Sequence, residues 1–453
     1  MGHKKEKQYK MDMCNGPLFK KIIIFALPLM ASSLLQLLFN AADIIVVGRF
    51  AGDHSLAAVG STSSLVNLLV NIFMGLSVGA NVLVARYYGA KSEKDLSETI
   101  HTSIAISIVS GILLTFIGCF GAKTILEWLG TPVEVIDLAV IFIRTYFLGM
   151  PAMMVYNFGA AILRAIGDTQ RPLRYLTLSG IINVTLNLIF VVYFNLGVFG
   201  VGIATTISQI VSAYLVVKCL LNEEGSIKLY LNKIKINPNK LLQILKIGLP
   251  AGFQGILFSI SNVVIQSSIN TFGATIVAGN SAAANLEGFV YVAMNSFYQA
   301  AISFTSQNYG AEKYDRIKKI LLISVCCSFT VGSVMGIGAY LLGPHLLGLY
   351  TTSGAVIKAG MVRLSIISFT HALGGFMDTI VGSLRGIGYS IIPMIVSLVG
   401  VCVVRLMWIA TVFQIPEYHS IQTVYVIYPI TWVITAIAHF ITFIIAMRKI
   451  KKD

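Results

Sequence analysis

Apolar runs of roughly the 20 residues that a helix needs to cross a bilayer recur about twelve times between positions 19 and 447. Short polar segments separate them. The first run, 19–48, reads FKKIIIFALPLMASSLLQLLFNAADIIVVG. From Ile22 to Val47 it contains one ionisable residue, Asp43. Ser32, Gln36, Asn40 and Asp43 are spaced by four, four and three, so one helical face carries them all. A charge at the centre of such a helix costs about 2.5–3.5 kcal/mol on insertion, and such residues face a partner or a wet cavity. A polar stripe with one acid on an otherwise apolar helix predicts a solute or ion pathway. Asp43 is its candidate charge carrier, and Gln36 and Asn40 are candidate substrate contacts.

The composition places the whole chain in a membrane. Its 453 residues are 56% hydrophobic and 11% charged, against roughly 25% charged in soluble domains. The net charge of +14 points at first to nucleic acid, but the positions of the charges exclude that reading. Lys and Arg gather in alternate connections, as at Arg86, Lys91 and Lys94, at Arg164, Arg171 and Arg174, and at Lys313, Arg316, Lys318 and Lys319. The tail 1–18 (Lys4, Lys5, Lys7, Lys10) and the tail 448–453 (Arg448, Lys449, Lys451, Lys452) share the bias. By the positive-inside rule this predicts an even number of spans with both termini in the cytoplasm. The first run is too long for a cleavable signal peptide and lacks a small-residue cleavage site. The six cysteines show no metal-ligand or disulfide spacing. Neither a phosphate-binding glycine loop nor a HExxH pattern occurs, so neither an enzyme nor a cofactor is expected.

The chain repeats itself. Leu163-Arg164-Ala165-Ile166-Gly167 returns as Leu384-Arg385-Gly386-Ile387-Gly388, 221 residues later. Pro172 and Pro393, and Tyr88-Gly89-Ala90 and Tyr309-Gly310-Ala311, keep that offset, while Leu27-Pro28 and Leu249-Pro250 differ from it by one residue. The prediction is an all-α polytopic protein with twelve transmembrane helices in two homologous six-helix bundles, related by a pseudo-twofold axis along the membrane normal. The expected bounds are a cytoplasmic tail 1–18, a first bundle 19–221, a cytoplasmic linker 222–240, a second bundle 241–447 and a tail 448–453.

The two halves differ in their acids. Asp43 aligns with Ile265, Glu287 with Leu65, and Asp378 with Asn157. Acids that break the repeat are better candidates for chemistry than matched positions, so Glu287 and Asp378 are candidate substrate contacts. The alternative for them is a bridge to Arg363 or Arg405. Arg144, Arg363 and Arg405 are read first as partners or snorkelling side chains. Pro28 and Pro250 interrupt the first helix of each half, and Pro28 is a candidate hinge.

Asn40-Ala41-Ala42-Asp43 with Val47-Gly48, the paired LRxIG motifs and Gln307-Asn308-Tyr309-Gly310-Ala311 together resemble the multidrug and toxic compound extrusion (MATE) family. The likeness covers nearly the whole chain and is greatest for the bacterial branch named after DNA-damage-inducible protein F. It implies two bundles around a central cleft, rocking to expose either side. It also implies efflux of organic cations or drugs from a bacterial cell across the plasma membrane, driven by H+ or Na+ entry. In that family a cation site is built from a helix 1 acid, two helix 5 side chains and a helix 6 threonine. Here the matches are Asp43, Asn183, Asn187 and Thr205. Where that branch often has a second carboxylate, this chain has Asn187. Hard cations prefer oxygen ligands and bind more tightly as carboxylates are added, so Na+ at these four residues would be held weakly. The same set suits a protonatable Asp43, since apolar surroundings favour a neutral carboxyl. Tyr146, Tyr156 and Met153 or Met154 are candidates to line a drug cavity. A monomer with the lipid bilayer and small molecules as its partners is expected.

Two rivals stand beside this reading. A lipid-linked glycan flippase of the same superfamily is the alternative, although such proteins tend to have more spans and basic clefts. A major facilitator transporter also has six plus six spans. However, the loop Arg86-Tyr87-Tyr88-Gly89-Ala90-Lys91 lacks that family's acidic-basic glycine motif.

Overall fold

The computed structural model describes residues 9–450, so Lys4, Lys5, Lys7, Lys451 and Lys452 of the expected basic tails lie outside the described residues. All regular structure among the described residues is helical. The first half contains α1 (Leu18–Phe50), α2 (Asp53–Gly89), α3 (Glu93–Trp128), α4 (Val133–Leu148), α5 (Met150–Ala165), α6 (Gln170–Asn187) and α7 (Gly197–Leu221). The second contains α8 (Pro238–Asn270), α9 (Ala274–Gly310), α10 (Tyr314–Leu341), the short α11 (Gly343–Gly348), α12 (Gly354–Gly386), α13 (Ile391–Ser397), α14 (Val404–Ala410) and α15 (Ile421–Ile450). A π-helical turn, Leu188–Tyr193, extends α6, and another, Leu398–Val403, joins α13 to α14.

Ten rods, counting these extended ones, are long and apolar enough to cross a membrane, and α4 with α5 forms an eleventh that is bent by 47°. The twelfth is α9, 37 residues long. It fails the apolar test because its inward face is polar: Asn280, Glu287, Ser303, Gln307 and Asn308 are all buried. The described residues thus form a polytopic all-α membrane protein with ten or eleven apolar spans, beside which α9 is a twelfth long rod.

The duplication is visible in the backbone. Left-handed residues recur at the repeat spacing: Gly52 (φ 84°) with Gly273 (φ 88°), Lys91 (φ 54°) with Glu312 (φ 57°), and Gly167 (φ 93°) with Gly388 (φ 98°). Each pair marks the same helix end or turn in its half. The LRxIG glycines therefore occupy turns that require positive φ.

Packing divides the chain into two compact units. The first holds Ala31–Gly252 with the described tail residues through Asp12, and the second holds Met13–Met30 and the chain from Phe253 onward.

In the first unit the bend between α4 and α5 has a chemical cause. Pro151 lacks the N–H that would bond to the carbonyl of Phe147, which frees that carbonyl and lets the helix turn. Thr115 of α3 supplies the missing donor, its hydroxyl reaching Phe147 O at 2.7 Å. Gly111 lets α3 close onto the bend, since a Cβ there would lie 2.3 Å from Pro151 Cα. The segment after α7 docks on the start of α3. Tyr230 N donates to His101 Nε2 at 3.0 Å, Asn237 Nδ2 to Glu98 Oε2 at 2.9 Å, and Lys240 pairs with Asp95 at 2.5 Å.

In the second unit α9 lies along α12. A Cβ on Gly279 would meet Gly360 N at 2.6 Å, a backbone approach that small residues permit between membrane helices. Arg385, the arginine of the second LRxIG motif, is buried and donates to Gln254 Oε1 at 2.8 Å and to the Tyr298 hydroxyl.

Candidate functional site

The first unit brings Asp43, Asn187, Asn183 and Thr205 into one chain of hydrogen bonds. Asn187 Nδ2 donates to Asp43 Oδ1 at 2.5 Å and lies 3.4 Å from Asn183 Oδ1. Asn183 Nδ2 donates to Thr205 Oγ1 at 3.3 Å, and that hydroxyl donates to Val201 O at 2.9 Å. Asn183 and Asn187 face the same way because they are one turn apart on α6. Asn187 is fully buried, and its Oδ1 has no hydrogen-bond partner among the described residues.

Two local features aim these groups. Gly180 lets α6 approach α1, because a Cβ there would lie 1.8 Å from Phe39 Cε2. The π turn begins at Leu188, immediately after Asn187, and such turns are frequent at functional sites.

The hydrogen-bonded chain opens into a cavity of about 340 Å³. Gln36, Asn40 and Asp43 line one wall from α1, as the polar stripe predicts. Tyr146, Met153 and Tyr156 add an apolar and aromatic wall, whereas Met154 packs into the core. Asp43 is the one carboxylate among the described lining residues. Asn67, Asn157 and Gln209 also line the cavity, and sequence reasoning missed them as site residues. Asn157 carried a signal, since it aligns with Asp378 in the repeat, and so did Gln209, four residues after Thr205, and Asn67, four residues before Asn71.

Glu287 and Asp378 are in the second unit and do not line this cavity. Arg363 donates to Glu287 through Nε and Nη2, at 2.6–3.2 Å, and through Nη1 to Asn280 Oδ1 at 2.7 Å. The bridge weighed as the alternative for Glu287 is therefore formed. Arg405 donates to Thr431 Oγ1 at 3.0 Å and lies over the Tyr428 ring. Asp378 is half-buried on α12. Arg144 donates to Cys119 O at 3.0 Å. Pro28 lies inside α1, outside the cavity lining. Among the described residues no cluster of three or more His, Cys, Asp or Glu side chains is arranged to hold a metal ion. A monovalent cation at this site would instead rely on Asp43 with the neutral oxygens of Asn183, Asn187 and Thr205.

A family model described as MatE matches residues 28–189 and 250–410. Among curated relatives, a probable multidrug resistance protein, YoeA, of Bacillus subtilis is 26% identical over 92% of this chain and 91% of its own length. The multidrug export protein MepA of Staphylococcus aureus is 23% identical over 85% of each chain. A crystal structure of MATE in complex with MaL6 shares the fold with a TM-score of 0.91 at 23% identity, covering 97% of this chain and 99% of that one. A transporter of the MOP superfamily from Pyrococcus furiosus, described as having a binding pocket of reverse polarity, also has a TM-score of 0.91 at 23% identity, over 97% of this chain and 98% of that one.

Proposed function

This chain belongs to the MatE family of multidrug transporters and is not an enzyme, and from that premise we propose that it is a proton-coupled antiporter exporting lipophilic organic cations. The observation that carries the proposal is the hydrogen-bonded chain from Asp43 to Thr205 on the wall of a cavity with one carboxylate. An ionised Asp43 attracts a cationic substrate and accepts from Asn187. A protonated Asp43 no longer attracts the cation and becomes a donor, for which the unpartnered Asn187 Oδ1 is the acceptor once the amide turns over. One carboxyl group thus serves proton and substrate in turn, which is the opposed bias that antiport requires.

The aromatic and methionine wall supports a lipophilic, variable substrate. The basic connections support a plasma-membrane location with both termini in the cytoplasm.

The test is ethidium efflux from loaded cells or uptake into inside-out vesicles, with proton and sodium gradients imposed separately. Transport that follows the pH gradient alone is expected. Transport that requires sodium would assign Asp43 and the three neutral oxygens to Na+ binding. Failure under both gradients, with folded protein, would favour the lipid-linked glycan flippase.

A further inference from the structure

Two further concavities lie on the second unit, on the face made by α10, α12 and α15. Two cavities of about 600 Å³ and 530 Å³ adjoin there, sharing Val325, Phe376 and Phe440 as walls. From Val433 to Arg448 along α15 they run roughly 22 Å at 1.5 Å per residue. That exceeds the about 15 Å of hydrocarbon in one leaflet. The walls are mainly aliphatic and aromatic along this length, with Cys326 and Thr330 among them. At one end the lining changes to Lys318 of α10 and Arg448 of α15. Both are exposed, and neither takes part in an ion pair among the described residues.

We infer that this groove is a binding site for an anionic glycerophospholipid, with the phosphate between Lys318 and Arg448 and an acyl chain lying past Phe440 towards Val433. The occupant follows from the order of chemistry along the groove. An apolar slot longer than a leaflet's hydrocarbon, closed by two unpaired cations at its polar end, matches a phosphate followed by a chain. Basic pockets between membrane helices bind anionic head groups in this way. Among the described residues no carboxylate lines the groove, and its cationic end repels the organic cations assigned to the first unit's cavity. The site is independent of the transport mechanism proposed above.

Native mass spectrometry of the detergent-purified full chain, titrated with phosphatidylglycerol or phosphatidylcholine of identical chains, tests the inference. Phosphatidylglycerol is expected to bind roughly thirtyfold more tightly, the scale set by two basic residues near a head group. Lys318→Gln with Arg448→Gln should reduce it to the phosphatidylcholine level. Ile437→Trp, at an exposed position of the groove wall, keeps both cations but should weaken both lipids. Glycerol 3-phosphate, which has no chain, should not compete. Equal binding of the two lipids by the wild type, a preference that survives the double charge substitution, or full competition by glycerol 3-phosphate would each overturn the inference. Unfolding temperature, read with each variant, separates loss of the site from loss of the fold.

Discussion

Asn187 donates its amide to Asp43 across 2.5 Å, linking α6 to α1 over 144 positions of chain. The amide oxygen on the other side of Asn187 is left without a partner in a fully buried side chain. An amide can present either its donor or its acceptor to a carboxyl group, and the carboxyl's proton decides which one fits.

Asp43→Asn removes the titratable group and keeps the shape. Ethidium efflux driven by a proton gradient should fall to the level of cells lacking the protein, with unchanged expression and unfolding temperature. Efflux near wild type from well-expressed Asp43→Asn would remove Asp43 from the mechanism.

Asn187→Asp restores a second carboxylate beside the first. Added carboxylates raise the affinity of hard cations, so sodium should stabilise this variant against heat while leaving the wild type unaffected. An equal response of both proteins to sodium would mean that the wild-type oxygens already suffice.

Gly180→Val pushes two methyl groups at the Phe39 ring, where a Cβ alone would lie 1.8 Å away. Overpacking of this kind costs about 1–3 kcal/mol, and here it also separates α6 from α1. Efflux should drop at least as much as stability, and Phe39→Ala in the same chain should recover part of both. A Gly180→Val protein with full efflux would show that the two helices need no close approach.

Glu287→Gln leaves the buried Arg363 without its countercharge. Breaking such a pair costs about 3–5 kcal/mol, so thermal stability should fall clearly, and adding Arg363→Met should restore much of it. A stable Glu287→Gln protein with altered drug preference would instead return Glu287 to the substrate contacts.

The parts of this molecule that were legible in the sequence are those set by local periodicity. The polar stripe of α1 places Gln36, Asn40 and Asp43 on one cavity wall because spacings of three and four fix a helical face whatever the tertiary fold. The 221-residue repeat returned as matching left-handed residues at Gly167 and Gly388 because those turns permit little else. Three features were not legible. Asn67 and Gln209 reach the cavity through the rotation of their helices, which polar neighbours such as Asn71 and Ser208 leave unspecified. The docking of the segment at Tyr230 and Asn237 on α3 depends on His101 and Glu98, more than a hundred residues away. The bend at Pro151 is readable as a proline, but its stabilisation by Thr115 is not.

The polarity of α9 has a consequence for how the protein is made. Its buried Asn280, Glu287, Gln307 and Asn308 leave this segment weakly hydrophobic at the moment the insertion machinery samples it, since the one charge and the three amides oppose partitioning into lipid. Arg363, the partner of Glu287, is synthesised 76 residues later. Glu287 therefore gains its countercharge only once α12 has been made.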